Sequence, residues 1–314
     1  MLTIADIWAA RPIVAEVAVR TPLVRLNVAD TSAEIYLKLE CLQPIGSFKL
    51  RGAHNTMRSL SPEALSRGVL TASAGNMAQG VAFGAQRLGI PCWVVVPDTA
   101  PQTKIAAVKR MGGEVIPVPF DTWWETFSTR AFPGIDATFV HAFDDERVMA
   151  GNGTIGLEIL EDLPDVDTVL IPWGGGGLAS GIATAFRALK PDAKIYGVEA
   201  ANAAPLTPSF AAGKSVEIAY TPSFADGIAG KLVFPEMWER ATALLDGAYT
   251  ATEEEMKGAV RLLAERNRVI AEGAGACPVS VALSGKAGGG KIVCVVSGGN
   301  IDSRVLADIL SSAG

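Results

Sequence analysis

Short apolar runs alternate with longer amphipathic stretches along most of this chain. Runs rich in β-branched residues predict strands over 35–39, 69–72, 92–96, 114–118, 138–140, 168–171, 195–198 and 292–296. Several are apolar throughout, as strands covered on both faces of a parallel sheet should be. Apolar positions at helical spacing predict helices over 49–59, 77–88, 102–111, 123–130, 147–161, 178–189, 252–266 and 303–310. Thr252-Glu253-Glu254-Glu255 reads as a capping box, and Ser61-Pro62 puts a proline at a first helical position. The Pro-, Ser- and Ala-rich stretch 201–225 reads as a long loop with a helical piece. Strands alternating with helices predict an α/β fold, parallel sheets flanked by helices.

Composition narrows this picture. The chain has 314 residues, 49% hydrophobic and 19% charged, which suits one large or two medium globular domains. Its formal charge is −6 and it carries no basic block, so nucleic acid is excluded as a partner. Four scattered cysteines and two histidines argue against a Cys- or His-built metal site and fit reduced thiols. The N-terminus lacks the basic start of a signal peptide, so a cytoplasmic location is expected. Residues 168–186 carry no charge, but Pro172 and Gly174 to Gly177 interrupt them, so strand, turn and helix is preferred to a membrane span.

Four segments can carry chemistry. Lys49 follows Gly46-Ser47-Phe48 where a helix should begin. Two readings stand there: a surface lysine in a first turn, or an amine whose pKa falls through burial and the helix N-terminus and which can then attack a carbonyl. Ser73-Ala74-Gly75-Asn76-Met77 joins a strand to a helix; it is either a tight turn or a ring of N–H groups suited to a carboxylate. Gly174-Gly175-Gly176-Gly177-Leu178 joins another strand to another helix. Four glycines cost conformational entropy, on the order of 0.5–1 kcal/mol each, so a plain connector would not use them and a phosphate cradle is favoured. Ser297-Gly298-Gly299-Asn300 follows the last strand, where Ser297 is either a ligand-facing hydroxyl or a turn serine. Gly151-Asn152-Gly153-Thr154-Ile155-Gly156 matches G-x-G-x-x-G, but the polar run 144–147 before it is a poor strand and no acid ends the next strand. A dinucleotide site is therefore not expected.

In this order the four segments resemble the fold-type II pyridoxal-phosphate enzymes, and among them the threonine dehydratase and serine racemase branch. The resemblance runs from Arg20-Thr21-Pro22-Leu23 to Ser297-Gly298-Gly299-Asn300. It implies a tryptophan synthase β-like α/β architecture, with a large cofactor-binding domain from 1–50 and 143–314 and a small domain over 51–142. It implies pyridoxal 5'-phosphate bonded to Lys49, packed on Phe48 and hydrogen-bonded by Asn76. Gly174, Gly175, Gly176, Gly177 and Leu178 would hold the phosphate, and Ser297 would face the pyridine nitrogen. Ser73, Ala74, Gly75, Asn76 and Met77 would receive the substrate carboxylate. A small-molecule amino-acid substrate and a homodimer follow from the same resemblance, with no membrane.

The implied reaction is loss of water from a 3-hydroxy-α-amino acid, giving a 2-oxo acid and ammonia. A neutral serine at the pyridine nitrogen makes a weaker electron sink than a carboxylate partner would, which favours elimination over transamination. Racemase members carry a second serine where this chain has Ala74, so dehydration is expected rather than racemisation. Metal-dependent relatives pair a glutamate, here Glu199, with an aspartate where this chain has Pro205, so no metal is expected. Relatives that act on acidic substrates carry an arginine near Trp123 and Trp124. Trp124 is expected beside the substrate side chain, and with Met77 and Trp173 close by the pocket is expected to take a larger β-substituent than a methyl, as in phenylserine; packing of a helix onto the sheet is the plain alternative for the two tryptophans. The short run after Ser297 leaves no room for a regulatory domain, which points to a catabolic or unregulated enzyme. The rival readings are a cysteine synthase-like β-replacement enzyme, a racemase and a non-catalytic phosphate-binding protein.

Overall fold

The computed structural model describes residues 1–29 and 31–312. Its strands, in chain order, are β1 (Leu23–Arg25), β2 (Ala33–Lys38), β3 (Val69–Ala72), β4 (Cys92–Pro97), β5 (Glu114–Val118), β6 (Thr138–Phe139), β7 (Thr168–Pro172), β8 (Lys194–Ala200), β9 (Gly247–Ala251) and β10 (Gly290–Val295). They form a six-stranded sheet of order β1-β2-β10-β7-β8-β9 and a four-stranded sheet of order β5-β4-β3-β6. Only β1 runs antiparallel to its neighbour; the other pairs are parallel. In the larger sheet Ile292 lies opposite Ile35 on one side and Thr168 on the other. Every residue of β3 and β7 is buried, which is why these strands read as unbroken apolar runs.

The sheets place the four sequence segments at equivalent points. The loops after β3, β7 and β10 carry Ser73–Met77, Gly174–Leu178 and Ser297–Asn300, and the turn after β2 leads to Lys49. All four therefore lie beyond the carboxyl ends of parallel strands, where open α/β sheets bind ligands.

The G-x-G-x-x-G run sits inside the helix Glu146–Asp162 and makes close helix crossings. A Cβ on Gly151 would stand 2.5 Å from the Arg51 carbonyl oxygen, and one on Gly153 would stand 2.9 Å from that of Gly181. These glycines let the helices Lys49–Arg58 and Gly177–Leu189 approach the Glu146–Asp162 backbone. The first of these helices is pinned by a buried ionic cluster. Arg51 Nε donates to Glu40 at 2.8 Å, its Nη1 donates to Glu158 at 2.7 Å, and Lys38 Nζ donates to Glu158 at 2.6 Å. Lys38, Glu40 and Arg51 are each at most 1% exposed.

Several elements differ from the sequence expectation. The helices Ile4–Val14, Pro235–Leu244 and Gly273–Leu283, with β1 and β9, were not anticipated. Gly273–Leu283 is buried on nearly every residue and contains Pro278, so it lacks the polar side that marks an amphipathic helix. The expected helix over 252–266 is α-helical only to Leu262 and closes with a π-turn, Leu263–Asn267; its Thr252–Glu255 capping box is present. The helix Phe120–Thr129 begins three residues before the expected 123, because Pro119 starts it. Among the described residues, no helix is long and apolar enough to cross a membrane.

Candidate active site

Lys49 is placed by backbone contacts on both sides. Gly46, at φ +70°, turns the chain, Ser47 bridges to Gly298, and the Phe48 N–H donates to the Ser297 carbonyl at 3.0 Å. Phe48 then caps the helix Lys49–Arg58 without a side-chain bond, so Lys49 stands at its first position. The Lys49 Nζ donates to the Ala142 carbonyl at 2.7 Å and lies 5.1 Å from the centre of the Phe48 ring. Burial pulls its pKa down to about 8, against the opposing pull of Glu272. Of the two sequence readings, the geometry favours the tuned amine over the surface lysine.

The loop after β3 faces this amine's end of the sheets with little side-chain bulk. The Ser73 hydroxyl accepts from the Gly75 N–H at 3.2 Å, and Gly75 caps the helix Asn76–Leu88 with no side-chain bond. A Cβ on Gly75 would meet nothing within 4 Å, so open space borders an uncapped helix N-terminus. Ala74 is half-buried and packs against the core of the smaller sheet. Met77, expected beside the substrate, is 2% exposed and packs within that same core.

The glycine loop is tighter. Gly176 has φ +87°. A Cβ on Gly175 would fall 2.0 Å from the Phe143 ring, one on Gly177 2.7 Å from the Phe143 carbonyl oxygen, and one on Gly174 3.0 Å from that of Gly227. Trp173 is buried beneath the loop, its ring 2.5 Å from where a Gly176 Cβ would stand. It belongs to the core of the larger sheet. The helix Gly177–Leu189, with Leu178 in its first turn, therefore begins without a capping side chain behind Cβ-free backbone. Such an end attracts an anion through its free N–H groups and the helix dipole. A tuned amine and this cradle suit a cofactor with one aldehyde and one phosphate.

The cradle gives a direct prediction. Gly175→Ala should cost about 1–3 kcal/mol of stability through overpacking against Phe143. It should also narrow the preference of the apoprotein for pyridoxal phosphate over phosphate-free pyridoxal. Equal preference in native protein and variant would argue against phosphate binding at this loop.

The remaining expected residues are placed as follows. Ser297 is buried after β10, its carbonyl held by Phe48. Trp123 packs onto the smaller sheet, within the cluster of Leu70, Val95 and Val118. Trp124 is 45% exposed and stacks on Phe127, 5.6 Å between centres. Phe127 meets His141 at 4.7 Å, and His141 meets Phe143 at 4.7 Å, so an aromatic row leads from Trp124 to the glycine loop. Burial pulls the His141 pKa down to about 4, and its Nδ1 accepts from the Asp144 N–H at 2.8 Å. Glu199 is buried with its pKa pushed up to about 7 by burial. Its two oxygens accept from the Leu206 N–H, the Thr207 N–H and the Thr207 hydroxyl, so it anchors the helix Leu206–Ala212.

Two site residues escaped the sequence reading. Asn76 Nδ2 donates to Glu272 at 2.7 Å, and Asn300 Nδ2 donates to Asn76 Oδ1 at 2.8 Å. Glu272 carried a usable signal: it is the sole charge in the run 269–284. Asn300 stood in the Ser297 segment without an assigned part.

Comparison with known proteins agrees with this geometry. Residues 14–298 match the family described as "Pyridoxal-phosphate dependent enzyme". The chain is 42% identical to the L-threonine ammonia-lyase of Thermotoga maritima, over 99% of this chain and 79% of that one. It superposes on the processed form of threonine deaminase isoform 2 from Solanum lycopersicum with a TM-score of 0.90 at 37% identity, covering 99% of this chain and 87% of that one. Maize serine racemase superposes with a TM-score of 0.91 at 33% identity, covering 98% and 96%. The chain thus belongs to the fold-type II pyridoxal-phosphate dependent enzymes, in their threonine and serine dehydratase branch, as a lyase whose cofactor is pyridoxal 5'-phosphate.

Proposed function

We propose that this protein removes water from threonine, releasing a 2-oxo acid and ammonia. One observation carries the reading: the Lys49 amine, with its pKa near 8, stands within the loops that follow β2, β3, β7 and β10. The 42% identical L-threonine ammonia-lyase supports the choice of threonine.

Each residue then has a part to play. A Lys49 amine that is neutral part of the time would hold the cofactor through its aldehyde and, when free, would take the proton from the substrate Cα. When bound, pyridoxal phosphate supplies the electron sink for the charge left at that carbon. The Ser73 N–H is taken by the Val95 carbonyl and the Gly75 N–H by the Ser73 hydroxyl, so the substrate carboxylate would meet the uncapped first turn of the helix Asn76–Leu88, where Gly75 leaves it room. Gly174, Gly175, Gly176, Gly177 and Leu178 would hold the phosphate, Phe48 would cover the ring, and Ser297 would face the pyridine nitrogen without a charge. The Ala74 methyl cannot exchange a proton, so position 74 supplies no base to the opposite face of the substrate. The proton that Lys49 takes from Cα would be passed to the β-hydroxyl, which leaves as water, and hydrolysis of the released enamine would give the 2-oxo acid and ammonia.

The two sheets also support a division into a large domain (1–50 and 143–314) and a small one (51–142). Strands of the larger sheet all lie within 23–38 and 168–295, and strands of the smaller sheet within 69–139. The boundary at 50 falls inside the helix Lys49–Arg58, which packs against both halves: a Gly80 Cβ would stand 3.1 Å from the Lys49 carbonyl, and a Gly52 Cβ 2.7 Å from that of Val148.

The aromatic row from Trp124 to Phe143 favours one finer reading, tolerance of an aromatic β-substituent. The test is a panel of threonine, serine, 3-phenylserine and 3-hydroxyaspartate, each in threo and erythro forms, assayed for oxo-acid and ammonia without added thiol. Threonine should give the highest kcat/KM, phenylserine should be turned over, and hydroxyaspartate should be poorest. Product only after adding a thiol would replace this reading with β-replacement. Inverted amino acid in place of oxo acid would replace it with racemisation.

A further inference from the structure

Glu272 is the N-cap residue of the helix Gly273–Leu283, yet its side chain makes no capping bond. Its carboxylate reaches Asn76, on the helix that follows the smaller sheet's β3. Gly298 leaves space for it: a Cβ there would lie 2.4 Å from Glu272 Oε1 and 3.2 Å from Asn76 Nδ2. The Glu272 N–H donates to the Gly298 carbonyl at 3.0 Å, which ties it to the loop carrying Ser297.

The hydrogen-bond network settles which way the Asn76 amide points. Asn300 Nδ2 spends its two hydrogens on the Ile45 carbonyl at 2.9 Å and on Asn76 Oδ1 at 2.8 Å. Asn76 Oδ1 must therefore accept, and its Nδ2 must face Glu272, whose ionised carboxylate can only accept. Both constraints agree. One Asn76 N–H is committed to Glu272, and the second has no partner among the described residues.

We propose that Glu272 is a positioning residue, which with Asn300 locks the Asn76 amide so that its second N–H is offered to the cofactor ring. The inference rests on the proposed placement of the cofactor at Asn76. It also explains a buried acid with no direct cationic partner among the described residues. Burial, then the neighbouring Asp226, push the Glu272 pKa up to about 7, while Asn76, Lys104 and the Asn300 backbone N–H oppose them. Glu272 in turn acts on Lys49 and Cys41 nearby. A carboxylate whose pKa is higher in the folded chain than in the unfolded one costs stability as pH rises from the unfolded value towards 7. A site serving stability alone would be better filled by a neutral side chain.

The test compares native protein, Glu272→Ala, Glu272→Gln, Asn76→Ala and the double Ala variant, with folding verified by circular dichroism. Cofactor-free protein is titrated with pyridoxal phosphate, and both Kd and the visible absorption maximum are read. Glu272→Ala should raise Kd about tenfold and shift the maximum, as expected for a buried amide released from its acceptor. Glu272→Gln, whose amide oxygen can still accept from Asn76, should restore both. Adding Glu272→Ala to Asn76→Ala should change neither further. The cofactor-free Glu272→Gln protein should melt above native at pH 8 and together with it at pH 4. A native Kd and maximum in Glu272→Ala, or full additivity with Asn76→Ala, would overturn the inference. Failure of the native protein to bind the cofactor would instead overturn the proposed function beneath it.

Discussion

Lys49→Ala should lower kcat by about a thousandfold or more, because it removes the proposed base at the substrate Cα and the proposed covalent anchor of the cofactor together. The purified variant should also lack the visible absorption of lysine-bound pyridoxal phosphate. Misfolding is separable from this loss. The native amine has a folded pKa near 8 against 10.5 in the open chain. Between those values the folded state holds fewer protons, so stability rises with pH and the charged amine is a burden at pH 7. The cofactor-free variant should therefore melt no lower than cofactor-free native protein at pH 7. Retained turnover in Lys49→Ala would contradict the assigned role; lost turnover with a collapsed melting temperature would mean that the lysine is structural.

Arg51→Ala should destabilise the protein by roughly 3–5 kcal/mol, the range expected when one partner of a buried ionic cluster is removed. Its guanidinium meets both Glu40 and Glu158, and Lys38 alone cannot satisfy two buried carboxylates. The loss has a pH signature. In the native protein burial raises the Glu40 pKa, but the charge and hydrogen bonds of Arg51 outweigh burial and hold it below its ordinary value. That contribution is present above the unfolded pKa and fades as pH falls through the folded one. Without Arg51, burial prevails and the pKa of Glu40 rises, so the variant weakens as pH increases. Urea unfolding at pH 5 and pH 8 should show a wider gap between native and variant at pH 8. An equal gap at both would mean that packing, not charge, sets the cost.

Arg51 also shows where the sequence was silent. Its position two residues after Lys49 suggests an ordinary basic residue in a helix, and nothing local announces partners at Glu40 and Glu158. Those contacts are made by tertiary packing alone. The parallel strands were legible because full burial on two faces leaves a run such as Val169-Leu170-Ile171. The tight loop Gly174–Gly177 was legible because a plain connector would not use four adjacent glycines, and the structure shows why a Cβ is not tolerated there. The helix Gly273–Leu283 was not, since burial all round erases periodicity and Pro278 reads as a breaker. The burial of Met77 and Trp173 was not legible for a related reason: nearness in motifs does not tell which face of a loop or helix a side chain takes. Both pack in hydrophobic cores, and the network of Asn76, Glu272 and Asn300 lay unseen across three distant segments.

The account turns on one covalent bond. Borohydride treatment of the native holoenzyme, followed by proteolysis and peptide mass spectrometry, reads it directly. A reduced pyridoxyl-phosphate adduct on the peptide carrying Lys49, and on no other lysine, is the predicted result. An unmodified Lys49 peptide, or the adduct on another lysine, would contradict it.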